Sequence, residues 1–100
     1  MVKLIALFRK PPDVESFDNH YQNFHLPLTR KIPGLRKLEV TRITGAPIGE
    51  SAYHVMAELY YDSQEAMNAA NASPEGRAAG KDLMSFAAGV VTLFFGEVEA

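Results

Sequence analysis

Three histidines and no cysteine bound the chemistry open to this chain. Thiolate metal sites, cysteine nucleophiles and disulfides are excluded. His25 is the leading candidate for a catalytic group. Neutral imidazole accepts a proton near pH 7, and imidazolium returns it. His25 follows Tyr21 by four residues, so the two share one side of a helix. With Phe24 beside it, His25 is placed to line a mostly apolar pocket between helix and sheet. The plainer reading is that it bonds loop backbone and closes a helix end. His54 is the second candidate, within the strand-like run YHVMAELYY, residues 53–61; its plainer role is a polar strand residue facing solvent or a partner sheet. Glu58 lies in the same apolar run, where burial raises a carboxyl pKa and suits it to acid–base work. The competing expectation is an ion pair with Arg42 or Lys37. Substrate contacts are expected from Tyr21, Phe24, His54, Glu58 and Phe86, although aromatics at helical spacing also make ordinary core.

A metal site is not expected. His20 and His25 are five residues apart, about 140° around an α-helix. No His-x-x-x-His pair occurs. Asp82 is expected to face solvent or pair near Lys81. Gly45-x-x-x-Gly49 lacks the Lys-Ser/Thr of a phosphate loop, and no G-x-S-x-G elbow is present. No organic cofactor is implied by any motif.

The elements that must carry these residues follow from periodicity. Residues 2–9, VKLIALFR, are apolar on both alternating faces, as in a strand buried on both sides. Pro11 and Pro12 end that strand and Asp13 is a suitable N-cap. Val14, Phe17, Tyr21, Phe24 and Leu28 then recur at helical spacing. Pro27 disfavours helical geometry at Leu26, which predicts a break or kink near His25. Ile32-Pro33-Gly34-Leu35 is a turn signal, a second strand is expected at about 36–43, and the third is 53–61. Asp62 and Ser63 cap a second helix, Asn71 to Ser73 interrupt it, and Ser73-Pro74 restart it to about Ala87. Residues 90–99, VVTLFFGEVE, are the last strand.

This βαββαβ order is the ferredoxin-like plan: an α+β fold with four antiparallel strands and helices on one face. One domain is expected over residues 1–100. A chain of this size buries only roughly 60–65% of its unfolded surface, yet 47% of its residues are hydrophobic. The helices cover one sheet face while the first and last strands are apolar on both. A homodimer joined through sheet faces is the simplest way to hide the remainder. The net charge of -2 argues against nucleic acid and anionic membrane as partners. No run reaches the ~20 apolar residues of a membrane span, and Arg9 and Lys10 follow rather than precede the first apolar run, so the expected location is the cytoplasm.

The segment HYQNFHLPLTRKIPGL, residues 20–35, resembles the signature of the EthD-like proteins. It carries a first-helix aromatic, then His25, then Leu26-Pro27-Leu28, then Pro33-Gly34-Leu35. Residues 57–63, AELYYDS, and the Ser73-Pro74-Glu75 restart are similar to that family too. The resemblance implies a dimeric α/β barrel in which two sheets pack face to face, with His25 as the characteristic histidine. Relatives of that superfamily include cofactor-free monooxygenases, lactone isomerases, polyketide cyclases, dehalogenating enzymes and haem-degrading proteins.

The expectation for function is a cofactor-independent enzyme, a monooxygenase or an isomerase of catabolism. It acts on a small apolar oxygenated molecule (aromatic, quinone, lactone or polyketide-like) by proton transfer through His25. The alternative is a non-catalytic small-molecule binding protein or an accessory protein of an oxygenase system.

Overall fold

The computed structural model describes residues 1–100. β1, Val2–Arg9, pairs antiparallel with β3, Tyr53–Tyr61, on one side and with β4, Val91–Glu97, on the other. β2, Lys37–Arg42, completes the sheet against β3, giving the order β2-β3-β1-β4. The element order is therefore the expected ferredoxin-like one. α3, Gln64–Ala72, and α4, Pro74–Ala87, are capped by Ser63 and Ser73, whose hydroxyls accept from the Ala66 and Gly76 backbone N–H groups. Each cap satisfies a donor that an isolated helix start leaves unpaired.

The irregularity expected near His25 is a widened turn and not a break. α1, Val14–His20, starts at Asp13, whose carboxylate accepts from the Ser16 N–H. The chain then passes through a π-helical turn, Tyr21–His25, into α2, Leu26–Thr29. Leu26 keeps helical angles (φ -60, ψ -41), and its N–H donates to the Tyr21 carbonyl five residues back. Pro27 removes a donor and crowds the preceding turn. Widening that turn by one residue accommodates the proline without stopping the helix.

β1 and β3 present Leu4, Ala6, Phe8, Val55, Ala57, Leu59 and Tyr61 to the helices, and these residues are buried or half-buried. Phe8 meets Phe17 and Tyr21 edge-on at 5.4 and 5.3 Å, and Phe17 stacks on Tyr21 at 5.7 Å. Each such pair contributes about 0.5–1.5 kcal/mol beyond the area it buries. The cover is uneven. β4 keeps Leu93, Phe94 and Phe95 exposed on both faces, with Phe95 at 69%. The outer face of the sheet divides in two. Ile5, Leu7, Met56 and Phe94 make an apolar half; Lys3, Lys37, Glu39, Glu58 and Tyr60 make a polar half.

β3 also carries an irregularity. Phe8 pairs with Val55 but Arg9 pairs with Tyr53, leaving His54 without an opposite residue. Such a bulge re-aims one side chain. It turns His54 to the helix side, against Asp18 and Phe17. Strict alternation along β3 would put His54 and Glu58 on one face; with the bulge they part, and Glu58 lies on the outer face opposite Ile5 and Glu39.

Candidate active site

A cavity of about 380 Å³ lies between the sheet and the helices. Its floor is Leu4, Ala6, Phe8, Ala57 and Leu59, and its roof includes Leu26, Ala79 and Leu83. Two residues of the π-helical turn line this wall, Tyr21 and His25. Their rings stack at 5.7 Å with 25° between planes.

His25 is 8% exposed and its Nδ1–H donates to Asp82 Oδ2 at 3.0 Å. That bond selects the tautomer: with the proton on Nδ1, Nε2 carries the lone pair. Nε2 makes no hydrogen bond within the protein, so it is the nitrogen free to take a proton. Burial holds His25 below the ordinary histidine range, and the neighbouring His20 pushes the same way; the Asp82 carboxylate pulls up but does not restore it. His25 is therefore neutral and basic at pH 7.

Asp82 is a site residue that the sequence reading missed. It does not face solvent. It accepts from His25 and also from His20, whose Nε2–H lies 2.9 Å from Oδ1. The widened turn is the reason: an extra residue per turn brings positions 20 and 25, splayed in a regular helix, onto one side facing α4. A Pro two residues after a histidine near a helix end was the available signal.

The family can be read from most of the chain. A family model described as "EthD domain" matches residues 9–89. The chain belongs to the EthD domain family. It is 31% identical over 99 residues to an uncharacterized 11.0 kDa protein of the thcB-thcC intergenic region of Rhodococcus erythropolis, covering 99% of this chain and 96% of that one. A crystal structure described as an ethyl tert-butyl ether d (EthD) family protein from Bacillus halodurans is similar at 55% identity, with a TM-score of 0.97 and 99% of each chain covered. A protein of unknown function and ferredoxin-like fold from Bacteroides fragilis, described as dimeric, superposes with a TM-score of 0.69 at 24% identity, covering 97% of this chain and 95% of that one.

In this EthD-domain chain Tyr21 is 2% exposed and its hydroxyl finds no partner. Burial pushes the phenol up, above the normal tyrosine range, so it is a protonated donor at any physiological pH. Tyr61 also buries an unpartnered hydroxyl, but outside the cavity wall. Thr29 lines the cavity too, with its hydroxyl turned back to donate to the His25 carbonyl at 3.1 Å.

The structure places the remaining expected site residues outside the cavity wall. Phe86 packs on the ring of His25 at 5.2 Å and on His20 at 4.4 Å, walling the imidazoles from behind. Phe24 is 57% exposed and stacks on His20. His54 donates from Nε2 to Asp18 Oδ1 at 2.7 Å, with Arg42 Nη2 3.6 Å from the other oxygen. Glu58 pairs with Lys3 at 2.5 Å, not with Arg42 or Lys37. No helix is long and apolar enough to cross a membrane.

Proposed function

We propose that the chain is a cofactor-independent enzyme that moves a proton on a small, apolar, oxygenated molecule. The observation that carries this reading is a neutral imidazole lining an apolar cavity, with Nδ1 held by Asp82 and Nε2 unpaired. His25 Nε2 takes a proton from the carbon beside a carbonyl, or from a phenolic hydroxyl. Asp82 steadies the imidazolium that forms, as a buried carboxylate does for any paired histidine base. Apolar walls strengthen that pairing by excluding water. Returning the proton to another carbon completes an isomerisation. An oxygenation uses the same first step, after which the substrate anion itself reacts with dioxygen. The reading extends to a homodimer through the outer sheet face, supported by the dimeric description of the Bacteroides fragilis neighbour and by the exposed Phe94 on that face.

The test is a panel of phenols, hydroquinones, lactones and 1,3-dicarbonyls, screened first by thermal shift and then for turnover. A ligand at 100 times its Kd raises stability by about 2.7 kcal/mol. The His25→Asn variant is expected to keep binding and lose turnover. Equal loss of both would instead mark a binding module, and a panel that neither binds nor turns over would point to an accessory protein.

A further inference from the structure

The cavity has a second polar station away from the Tyr21–His25 pair. Its wall includes Arg77 and Asn71, from α4 and the end of α3. Arg77 is the one permanently charged residue in that wall, and no carboxylate lines the cavity at all. Arg77 also forms no ion pair elsewhere in the chain. Arg77 is exposed, so water solvates it while the cavity is empty, and its planar fork suits the carboxylate of an entering ligand.

The backbone around Arg77 is set by packing. A Cβ at Gly76 would collide with the Ala70 carbonyl, so the start of α4 is pressed against the end of α3. Gly76, Ala79, Gly80 and Leu83 share the helix side that faces the cavity. A Cβ at Gly80 would meet nothing within 4 Å, so that side of α4 stays open.

The geometry points to a substrate that is an acid: an apolar, ring-sized body carrying a carboxylate that meets Arg77 while its carbonyl or hydroxyl meets His25. This inference rests on the proton-transfer reading of the same cavity and names its substrate class. Arg77 is a specificity residue and takes no part in the proton transfer.

The experiment measures binding, so it stands apart from turnover. Hydroxyaryl and ketoaryl carboxylic acids are titrated against their own methyl esters by calorimetry, on the native protein and on Arg77→Gln and His25→Asn. The acid is expected to bind roughly three- to tenfold more tightly than its ester, a modest preference because Arg77 is exposed and its pairing is screened. Arg77→Gln should erase that preference, and added salt should shrink it. His25→Asn should leave it intact. Esters binding as well as acids, a preference that survives Arg77→Gln, or no acid binding at all would overturn the inference. A preference that persists without turnover would instead leave Arg77 in place and remove the proton-transfer reading.

Discussion

His25 and His54 share the marks by which a catalytic histidine is usually sought. Each is 8% exposed. Each donates to a carboxylate on a helix: His25 to Asp82 of α4, His54 to Asp18 of α1. Each packs against an aromatic ring. They differ in which nitrogen is spent and what lies beyond the other. His25 uses Nδ1, lines the cavity and keeps Nε2 unpaired. His54 uses Nε2, has Arg42 beside its carboxylate and lies outside the wall of that cavity. The pairing with an acid is therefore common to both a candidate base and a structural strut. A free basic nitrogen facing room for a substrate is what separates them.

Substituting each histidine gives the largest expected contrast. His25→Asn should lower kcat/KM by about 10²- to 10⁴-fold, the usual loss on removing a general base. His54→Asn should leave turnover per folded molecule nearly unchanged. Steady-state kinetics on any substrate from the panel decides it; comparable losses in the two variants would erase the distinction.

The carboxylates sharpen the same comparison. Asp18→Ala strands the His54 donor and frees Arg42, so it should destabilise the fold by about 1–3 kcal/mol, the range for leaving a buried polar group unpaired. Its signature is a lower urea midpoint with normal turnover. Asp82→Asn should act in the reverse sense. It releases the His25 tautomer, and turnover falls well before stability does. An Asp18 variant that loses activity while staying folded would place the His54 cluster in the chemistry.

Both decisions turn on a single inserted residue, which is why the fold was legible in the sequence and the site only partly so. Alternation and helical spacing recover all four strands, the Asp13, Ser63 and Ser73 caps and the interruption before Pro74, because those features repeat over several residues. They also assume fixed periods. The π-helical turn at Tyr21–His25 adds one residue to a helical turn and brings His20 and His25 together on Asp82. The bulge at His54 adds one residue to β3 and parts His54 from Glu58. Each irregularity is stabilised by tertiary partners on distant elements, Asp82 in the first case and Asp18 in the second. A local pattern carries no information about them. The Lys3–Glu58 pair was missed for a similar reason, since it depends on β1 lying beside β3.

Acidity gives a smaller effect with a definite sign. Burial outweighs the Asp82 carboxylate, so His25 binds its proton less readily in the folded chain than the value near 6.5 it has when unfolded. The contribution of His25 to stability is then complete above that unfolded value. It declines as pH falls through 6.5 and stops declining below the folded value. Asp82→Asn removes the upward pull and should move the titration lower still. NMR of the His25 ring proton against pH follows both. A folded His25 titrating above 6.5, or rising in Asp82→Asn, would contradict the burial argument. In kcat/KM the acid limb should sit at the same depressed value, leaving the base available through neutral pH.

The smallest change expected in the fold is at Tyr21. Its hydroxyl is buried, protonated and unpartnered, so removing it sheds a desolvated polar group that returns nothing to the folded protein. Tyr21→Phe should therefore be neutral or stabilising by up to about 1 kcal/mol, with the stacking on Phe17 and His25 retained. The same variant should leave ligand affinity nearly unchanged, because the hydroxyl is sealed from the cavity by its neighbours. A clear loss of affinity for oxygenated ligands would instead mean that the hydroxyl reaches the substrate, and it would set Tyr21 beside His25 rather than beside His54.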